Sequence, residues 1–277
     1  MVIPSFFVTL PLIMQDFIHL HVHTYYSILD GQSKISKLVD KAIGNGMRGM
    51  AVTDHGNMFG IKEFHDYCLK VNKSRKGQGL EPFKPIFGCE MYVAKHGPKE
   101  QKNGKDDMSG YHLIVLAKNY QGYKNLIKLV SRSWVDGYYM RPRTDHADLE
   151  RFHEGLIVCS ACLAGEVPRK IEQGDIKGAR ESIEWHRRVF GDDYYLELMR
   201  HEVTDPSIRA NRDVFPEQQR VNRVLIELAH EYGIMGKCIR HIEFHLRYIR
   251  NNADRLFFRC HLSSCCWPRP TTRQATD

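Results

Sequence analysis

Three histidines alternate along a short apolar segment near the N-terminus. His19, His21 and His23 lie in the sequence Phe-Ile-His-Leu-His-Val-His. Because successive side chains of a strand point to opposite faces, His21 and His23 would share one face. Two neighbouring imidazoles are a common pair of metal ligands. The spacing alone also fits an ordinary strand, so a metal site depends on further ligands elsewhere in the chain.

Five further side chains that commonly bind metals lie near predicted strands. Asp30 follows the first strand, His55 the second and Cys162 the fifth, while Glu90 lies within the third and His112 begins the fourth. Glu90 is the most informative, since a carboxylate within an apolar strand needs a partner. The full set exceeds the needs of one zinc ion and predicts two or three metals, which together clamp a phosphate and activate water for hydrolysis. Zinc suits this set, and His, Asp and Glu also suit manganese or iron.

Taken singly, some of these side chains also have a structural interpretation. Asp30 precedes a glycine and could shape a turn. Cys162 is small enough for a core position, and His112 opens an apolar strand. Only the set as a whole favours metal binding. Seven other histidines fit helix faces or loops and are interpreted as structural: His65, His96, His146, His153, His186, His201 and His230.

Strands and helices must position these side chains. Apolar segments predict strands at 17–22, 48–53, 85–94, 111–117, 155–159 and 194–198. Amphipathic periodicity predicts helices at 33–44, 57–72, 120–133, 165–173, 176–190 and 215–232. Their alternation predicts an α/β fold with a parallel sheet covered by helices. Most candidate ligands fall near strand C-terminal ends, where a (β/α) barrel builds its active site. Residues 95–110 are predicted to form a mobile loop.

The composition argues against several classes of protein. No run of about 18 apolar residues occurs, so the sequence predicts no membrane-spanning helix. The net charge of +7 is concentrated in residues 235–277, which hold eight Lys and Arg against three Asp and Glu and leave +2 on the other 234 residues. The nearly neutral body offers no broad surface for duplex DNA. Without a secretory signal, the eight cysteines are expected to be free or metal-bound thiols, in a cytoplasmic protein.

The chain is expected to contain one domain with an additional segment at each end. Residues 1–13 are apolar and lack the basic residue of a secretory signal, and Met14 directly precedes the histidine-rich strand. We interpret 1–13 as an upstream extension of a domain at 14–234, with a weak signal peptide as the alternative. Residues 235–277 show no clear periodicity and are expected to be a divergent tail, frame-shifted or disordered. A small zinc-binding tail is the alternative there.

Several motifs resemble those of the PHP (polymerase and histidinol phosphatase) family. They are His21-x-His23, Thr53-Asp54-His55, Gly88-Cys89-Glu90 and the segment that begins Tyr111-His112. Longer segments are similar to the opening domain of the alpha subunits of bacterial DNA polymerase III, at 17–31, 51–60, 141–143 and 218–229. The resemblance covers roughly residues 15–234.

The resemblance implies a distorted, seven-stranded TIM-like (β/α) barrel with nine metal-ligand positions for up to three zinc or manganese ions. Seven positions match: His21, His23, Asp30, His55, Glu90, His112 and Cys162. The family places Asn-Asp-x-His after the last helix, whereas this chain reads Met-Gly-Lys-Cys-Ile-Arg-His-Ile-Glu-Phe-His at 235–245. His241, Glu243 and His245 are the candidate substitutes there. The barrel is therefore expected to be incomplete at its C-terminal end and to bind fewer metals.

The resemblance also implies a role in DNA replication, as the PHP domain of a longer DNA-directed DNA polymerase whose palm domain follows it. The expected partners are DNA, through the full-length polymerase, and other polymerase III subunits. Family members with all nine ligands can act as metal-dependent 3′–5′ exonucleases, an activity expected to be impaired here. Two alternatives remain open. One is a free-standing phosphoesterase similar to histidinol phosphatase, and the other is a non-catalytic metal-binding scaffold.

Overall fold

The computed structural model describes residues 17–28, 30–201 and 214–234. Its helices are α1 (Ile35–Gly44), α2 (Ile61–Gly77), α3 (Tyr120–Val135), α4 (His146–Arg151), α5 (Glu166–Glu172), α6 (Ile176–Phe190) and α7 (Phe215–Glu231). Its strands are β1 (Gly49–Val52), β2 (Lys84–Val93), β3 (Tyr111–Ala117), β4 (Tyr138–Tyr139), β5 (Arg141–Thr144), β6 (Leu156–Cys159) and β7 (Tyr194–Tyr195). All described residues belong to one unit, Met1–Leu246. The predicted divergent tail at 235–277 lies outside the described residues.

Most predicted elements are present with slightly different bounds. The predicted first strand, 17–22, is reduced to a single bridge between His19 and Met50. The predicted strand at 194–198 is reduced to β7, and α4 and the β4–β5 pair were not predicted. Within the part of the chain that is described, no helix combines the length and the apolar character needed to cross a membrane.

The sheet is mixed rather than parallel. Its strand order is β4-β5-β2-β3-β6-β7, with β1 also paired to β2. β2 runs parallel to β1 and β5, whereas β3 runs antiparallel to both β2 and β6. The cause is the connection between β2 and β3, which contains no α-helix to serve as the crossover that parallel strands need. The α/β class is confirmed, the all-parallel arrangement is wrong, and the described strands do not close into a barrel.

The two faces of β2 and β3 differ in chemistry. Tyr92 pairs with His112, and Glu90 pairs with Ile114, so these four side chains share one face. The opposite face contributes to the largest hydrophobic cluster, together with side chains of α3, α5, α6 and α7. Its members on the two strands are Cys89, Met91, Val93, Leu113 and Val115. Helices therefore cover one face of the sheet, and the other face carries the candidate ligands.

The histidine-rich segment is held beside β1. A second hydrophobic cluster packs α1 and α2 against this strand, with the side chains of α1 buried at helical spacing. The Ala51 N–H donates to the His19 carbonyl at 2.8 Å, and the Thr53 N–H donates to the Val22 carbonyl at 2.9 Å. The backbone of residues 19–22 thus follows β1 closely enough to fix where His21 and His23 lie.

The loop between β2 and β3 is fastened by Arg143. The Arg143 side chain is fully buried, and its NH1 lies 2.8 Å from Asp107 Oδ2. Its NH2 donates to the carbonyls of Lys99 at 2.6 Å and Gln101 at 2.8 Å, and its Nε donates to the Gly137 carbonyl. The sequence does not reveal this anchor because Arg143 is far from the loop in the chain.

Candidate metal centre

Glu90 lies at the middle of the candidate site. It is buried, and its two carboxylate oxygens contact four imidazoles. Oε2 lies 2.9 Å from His21 Nε2 and 3.7 Å from His23 Nε2. Oε1 lies 2.5 Å from His55 Nδ1 and 3.1 Å from His112 Nδ1. One carboxylate therefore links two pairs of histidines.

Asp30 and Cys162 extend this group. Asp30 Oδ2 accepts a hydrogen bond from His55 Nε2 at 2.9 Å, and Cys162 Sγ lies 3.6 Å from His112 Nδ1. All seven predicted ligands are thus connected, and we call them the Glu90 centre. They contain two triplets of donors within 4.8 Å of one another: His21, His23 and Glu90, and Glu90, His112 and Cys162. Half of the Asp30 side chain is exposed, so the centre is accessible from solvent.

His112 joins the centre because β3 is antiparallel to β2. Its position at the start of a strand would place it at the wrong edge of a parallel sheet. In the observed sheet the start of β3 lies beside the end of β2, where His112 pairs with Tyr92 two residues beyond Glu90. His112 therefore lies beside Glu90, although the predicted strand direction was wrong.

Two acceptors orient the first pair of imidazoles. His21 Nδ1 donates to Glu197 Oε1 at 2.8 Å, and His23 Nδ1 donates to Ser27 Oγ at 3.1 Å. The Nε2 atoms then face Glu90 and lie only 3.1 Å from each other. Two ring nitrogens this close beside a carboxylate need a cation between them, either a proton or a metal ion.

Asp54, within the Thr-Asp-His motif, braces the loop that supplies Ser27. Its Oδ1 accepts from the Ser27 hydroxyl at 2.6 Å and from the Thr24 N–H at 2.7 Å. The Ser27 oxygen also accepts from the backbone N–H of His55 at 3.1 Å. Asp54 therefore affects the centre indirectly, because it positions the Ser27 hydroxyl that contacts both His23 and His55.

Glu197 was not predicted, although the sequence carries a signal for it. It is a carboxylate between Leu196 and Leu198 in an apolar segment, the same argument that singled out Glu90. Its side chain is buried, and its Oε2 has no hydrogen-bond partner among the described residues. An outer carboxylate of this kind typically fixes the ring orientation of a metal-binding histidine.

The electrostatics of the centre place a proton where a metal would bind. Burial lowers the pKa of His21, but the charges of Glu197 and Glu90 outweigh it and raise that pKa well above 6.5. Burial lowers the pKa of His23, and the neighbouring His55 and His21 lower it further. Burial would raise the pKa of Glu90, but the surrounding histidines hold it well below its usual value. Metal binding would therefore displace protons from the imidazoles.

The donor set fits a divalent transition metal. Imidazole, carboxylate and thiolate are zinc ligands, and the imidazole and carboxylate members also suit manganese. Glu90 belongs to both triplets and would therefore help to hold an ion at either of them. His21 Nε2 and His23 Nε2 lie 3.1 Å apart and both face Glu90 Oε2, so these three atoms could bind one ion.

Comparison with known proteins assigns the chain to a family. Residues 19–201 match the PHP domain family, which is more than half of the chain. The chain therefore belongs to the PHP domain family, and the resemblance stated from the motifs is confirmed.

The chain is also similar to curated replication proteins. It is 44% identical over 218 residues to the DNA polymerase III subunit alpha of Borreliella burgdorferi, an alignment that covers 79% of this chain and 17% of that protein. It is 40% identical over 220 residues to the same subunit of Treponema pallidum, with 79% and 17% covered. The chain thus spans less than a fifth of these relatives. A Bifidobacterium adolescentis structure, described as a candidate metal-dependent phosphoesterase, shares 15% identity and a TM-score of 0.46 over 83% of this chain and 89% of that one.

Proposed function

We propose that residues 14–234 are the PHP domain of a replicative DNA polymerase alpha subunit, and that the Glu90 centre is a metal-dependent phosphodiesterase site. The observation that supports this proposal most strongly is that six other metal-binding side chains gather around the buried carboxylate of Glu90. The mixed sheet would then be an opened, incomplete TIM-like barrel. DNA and other polymerase III subunits are the proposed partners, through a full-length polymerase in the cytoplasm. Residues 1–13 would be an upstream extension, and 235–277 a divergent tail.

The two triplets could hold one ion each. His21, His23 and Glu90 would hold one, and Glu90, His112 and Cys162 the other, with His55 and Asp30 beside them. Bound zinc or manganese would polarise the phosphodiester and activate a water for its hydrolysis. The rest of the chain would contribute orientation, since Glu197 and Ser27 fix the imidazole rings.

An aromatic row beside the centre favours single-stranded DNA over a small phosphate monoester. Phe59, Trp134 and Tyr138 are exposed, and their ring centroids lie 6.2 and 5.6 Å apart. Trp134 Nε1 donates to the carbonyl of Gly56, the residue after His55. Exposed aromatic rings are the usual platforms for unpaired bases, each stacked base contributing about 1–3 kcal/mol. The row would therefore hold a strand whose end reaches the Glu90 centre.

The first test measures metal content. The full chain is loaded with zinc or manganese, dialysed and analysed, beside His23→Ala and the exposed control His65→Ala. We expect at least one but fewer than three ions per chain, fewer still for His23→Ala, and no change for His65→Ala. Equal metal content in all three proteins would contradict the proposed centre. Three tightly held ions, together with robust DNA digestion that His23→Ala abolishes, would show that residues 235–277 supply the missing ligands.

The second test separates the substrates. Loaded protein is incubated with end-labelled single-stranded DNA and, separately, with a chromogenic phosphate monoester. Weak DNA digestion that His23→Ala abolishes would support the proposal. Trp134→Ala should weaken single-stranded DNA binding by about 1–3 kcal/mol, whereas Trp134→Phe should retain most of it. Hydrolysis of the monoester alone, unaffected by Trp134→Ala, would favour a free-standing phosphoesterase.

A non-catalytic scaffold is the second candidate. It is favoured by the sequence at 235–245, which lacks the Asn-Asp-x-His of the family. Metal retention that stabilises the chain, without digestion of either substrate, would support this role.

A further inference from the structure

A second group of metal-binding side chains lies outside the Glu90 centre. His146 begins α4, Glu166 begins α5 and His186 lies in α6. One donor atom from each lies within 4.8 Å of the others, and His146 Nε2 is 3.2 Å from Glu166 Oε2. Three separate helices thus bring together a carboxylate and two imidazoles. The sequence analysis had interpreted both of these histidines as structural.

His186 has the orientation of a metal ligand. It is buried, and its Nδ1 donates to the Ser182 carbonyl at 2.8 Å, which makes Nε2 the lone-pair nitrogen. Metal-binding histidines almost always donate their second ring N–H to a carbonyl or carboxylate in this way. Burial lowers the pKa of His186 to about 4, so the ring is neutral near pH 7, as metal binding requires.

Glu166 supplies the negative charge. Burial would raise its pKa, but the hydrogen bond and charge of His146, with the charges of His186 and Lys170, lower that pKa to about 2. Lys170 Nζ contacts Oε1 at 2.7 Å, whereas Oε2 faces His146. The carboxylate can therefore keep its contact with Lys170 and offer its other oxygen to an ion. The His146 side chain is 42% exposed and leaves a path from solvent.

We propose that His146, Glu166 and His186 form a separate binding site for a divalent transition metal of the zinc, cobalt or nickel class. Two imidazoles and one carboxylate suit these ions, and solvent would complete a four-coordinate site. Magnesium and calcium are disfavoured because they prefer all-oxygen ligands. This site does not depend on the function proposed for the Glu90 centre, because the two share no residue.

Trp185 provides a built-in reporter for the site. Its ring stacks on the His146 imidazole with centroids 4.0 Å apart. Nickel(II) quenches a nearby indole, so titration of the full chain with nickel chloride should show a saturable loss of tryptophan emission. Trp185→Phe should lack that phase. His146→Ala, at a partly exposed side chain, should move its midpoint to about tenfold higher nickel or beyond. The exposed control His153→Ala should leave the midpoint unchanged.

A further variant separates this site from the Glu90 centre. His55→Ala removes a member of that centre and should leave the Trp185 phase intact, whatever becomes of the proposed phosphodiesterase. The proposal is overturned if wild-type chain shows no Trp185 phase, if His146→Ala leaves its midpoint in place, or if His55→Ala abolishes it. Circular dichroism of each variant establishes that a lost phase does not come from unfolding.

Discussion

Two buried carboxylates, Asp107 and Glu90, lie in very different surroundings. Asp107 pairs with the guanidinium of Arg143, itself fully buried, in a cage of backbone carbonyls. Glu90 is surrounded by imidazoles and has no Lys or Arg among its recorded partners in the described residues. The guanidinium keeps its charge at any ordinary pH, whereas an imidazole can give up a proton. The Asp107–Arg143 ion pair therefore keeps its charges at any ordinary pH. At Glu90, the protons on the surrounding imidazoles can be replaced by a metal ion.

The largest expected effect comes from neutralising Asp107. Asp107→Asn leaves the Arg143 guanidinium buried without a counter-charge, and breaking a buried pair in this way costs about 3–5 kcal/mol. We expect the free energy of unfolding in urea to fall by about 3 kcal/mol, the lower end of that range, because carbonyls still accept from the guanidinium. Asp106→Asn, at the exposed neighbour, is the matched control. A loss for Asp107→Asn no larger than for this control would mean that Arg143 does not fasten the loop.

The same change from acid to amide at Glu90 should have the opposite effect: a small loss of stability and a large loss of zinc affinity. Glu90→Gln keeps the volume and one acceptor oxygen, and its new N–H donor can face the nitrogen of a deprotonated histidine, so the metal-free chain should lose no more than about 1 kcal/mol of stability. Zinc affinity should nevertheless fall by about a hundredfold, measured by competition with a chromogenic chelator. The exposed Glu81→Gln is the control. Unaltered zinc affinity would show that Glu90 does not bind the metal. A stability loss equal to that of Asp107→Asn would show that the two buried carboxylates stabilise the fold to the same extent.

A smaller effect is expected at Glu197, which contacts His21 and lies outside the two donor triplets. Glu197→Gln retains an acceptor for His21 Nδ1 but loses the charge, and zinc affinity should fall by about tenfold. Calorimetric titration of metal-free protein measures this change, with the exposed Glu154→Gln as control. An effect as large as that of Glu90→Gln would indicate that Glu197 itself binds metal.

The smallest effect concerns acid. Burial would raise the pKa of Asp107, but its hydrogen bond with Arg143 and the Lys95 N–H lower it below the ordinary 3.8. The pair therefore stabilises the fold above that ordinary value, and its contribution is lost as the pH falls through the native pKa. Urea unfolding from pH 5 to pH 3 should show a gap between wild-type chain and Asp107→Asn that is constant near pH 5 and narrows below about pH 4. If the difference in unfolding free energy between the two proteins widened on acidification, the pKa of Asp107 would be raised in the native state and not lowered.

The residues of the Glu90 centre carry signals in the local sequence, whereas the contact between Arg143 and the 94–110 loop does not. Glu90 interrupts an apolar strand, and His21 and His23 alternate on one, so each carries its own signal. Glu197, like Glu90, is a carboxylate within an apolar predicted strand. It could have been found by searching every predicted strand for such a residue. The partnership of Arg143 with Asp107 has no local signal, because it joins residues 36 positions apart through the fold.

The antiparallel direction of β3 could have been predicted in part from the sequence. Residues 95–110 were predicted to contain no helix, and a connection without a helix indicates antiparallel neighbours. The alternation of strands and helices elsewhere favoured a parallel sheet, and that general pattern was applied to β3 as well. The absence of a predicted helix between β2 and β3 would have given the better prediction for the direction of β3.

The Arg143 fastening also bears on the order in which the chain folds. A hairpin usually acquires its register from a tight turn, but β2 and β3 are joined by the long segment 94–110. A slip of one residue would turn Glu90 or His112 onto the helix-covered face. Since Arg143 draws that segment together only after β5 has docked on β2, the contact is non-local and we expect it to form late. Strands paired in a wrong register would thus remain free to separate and pair again until late in folding.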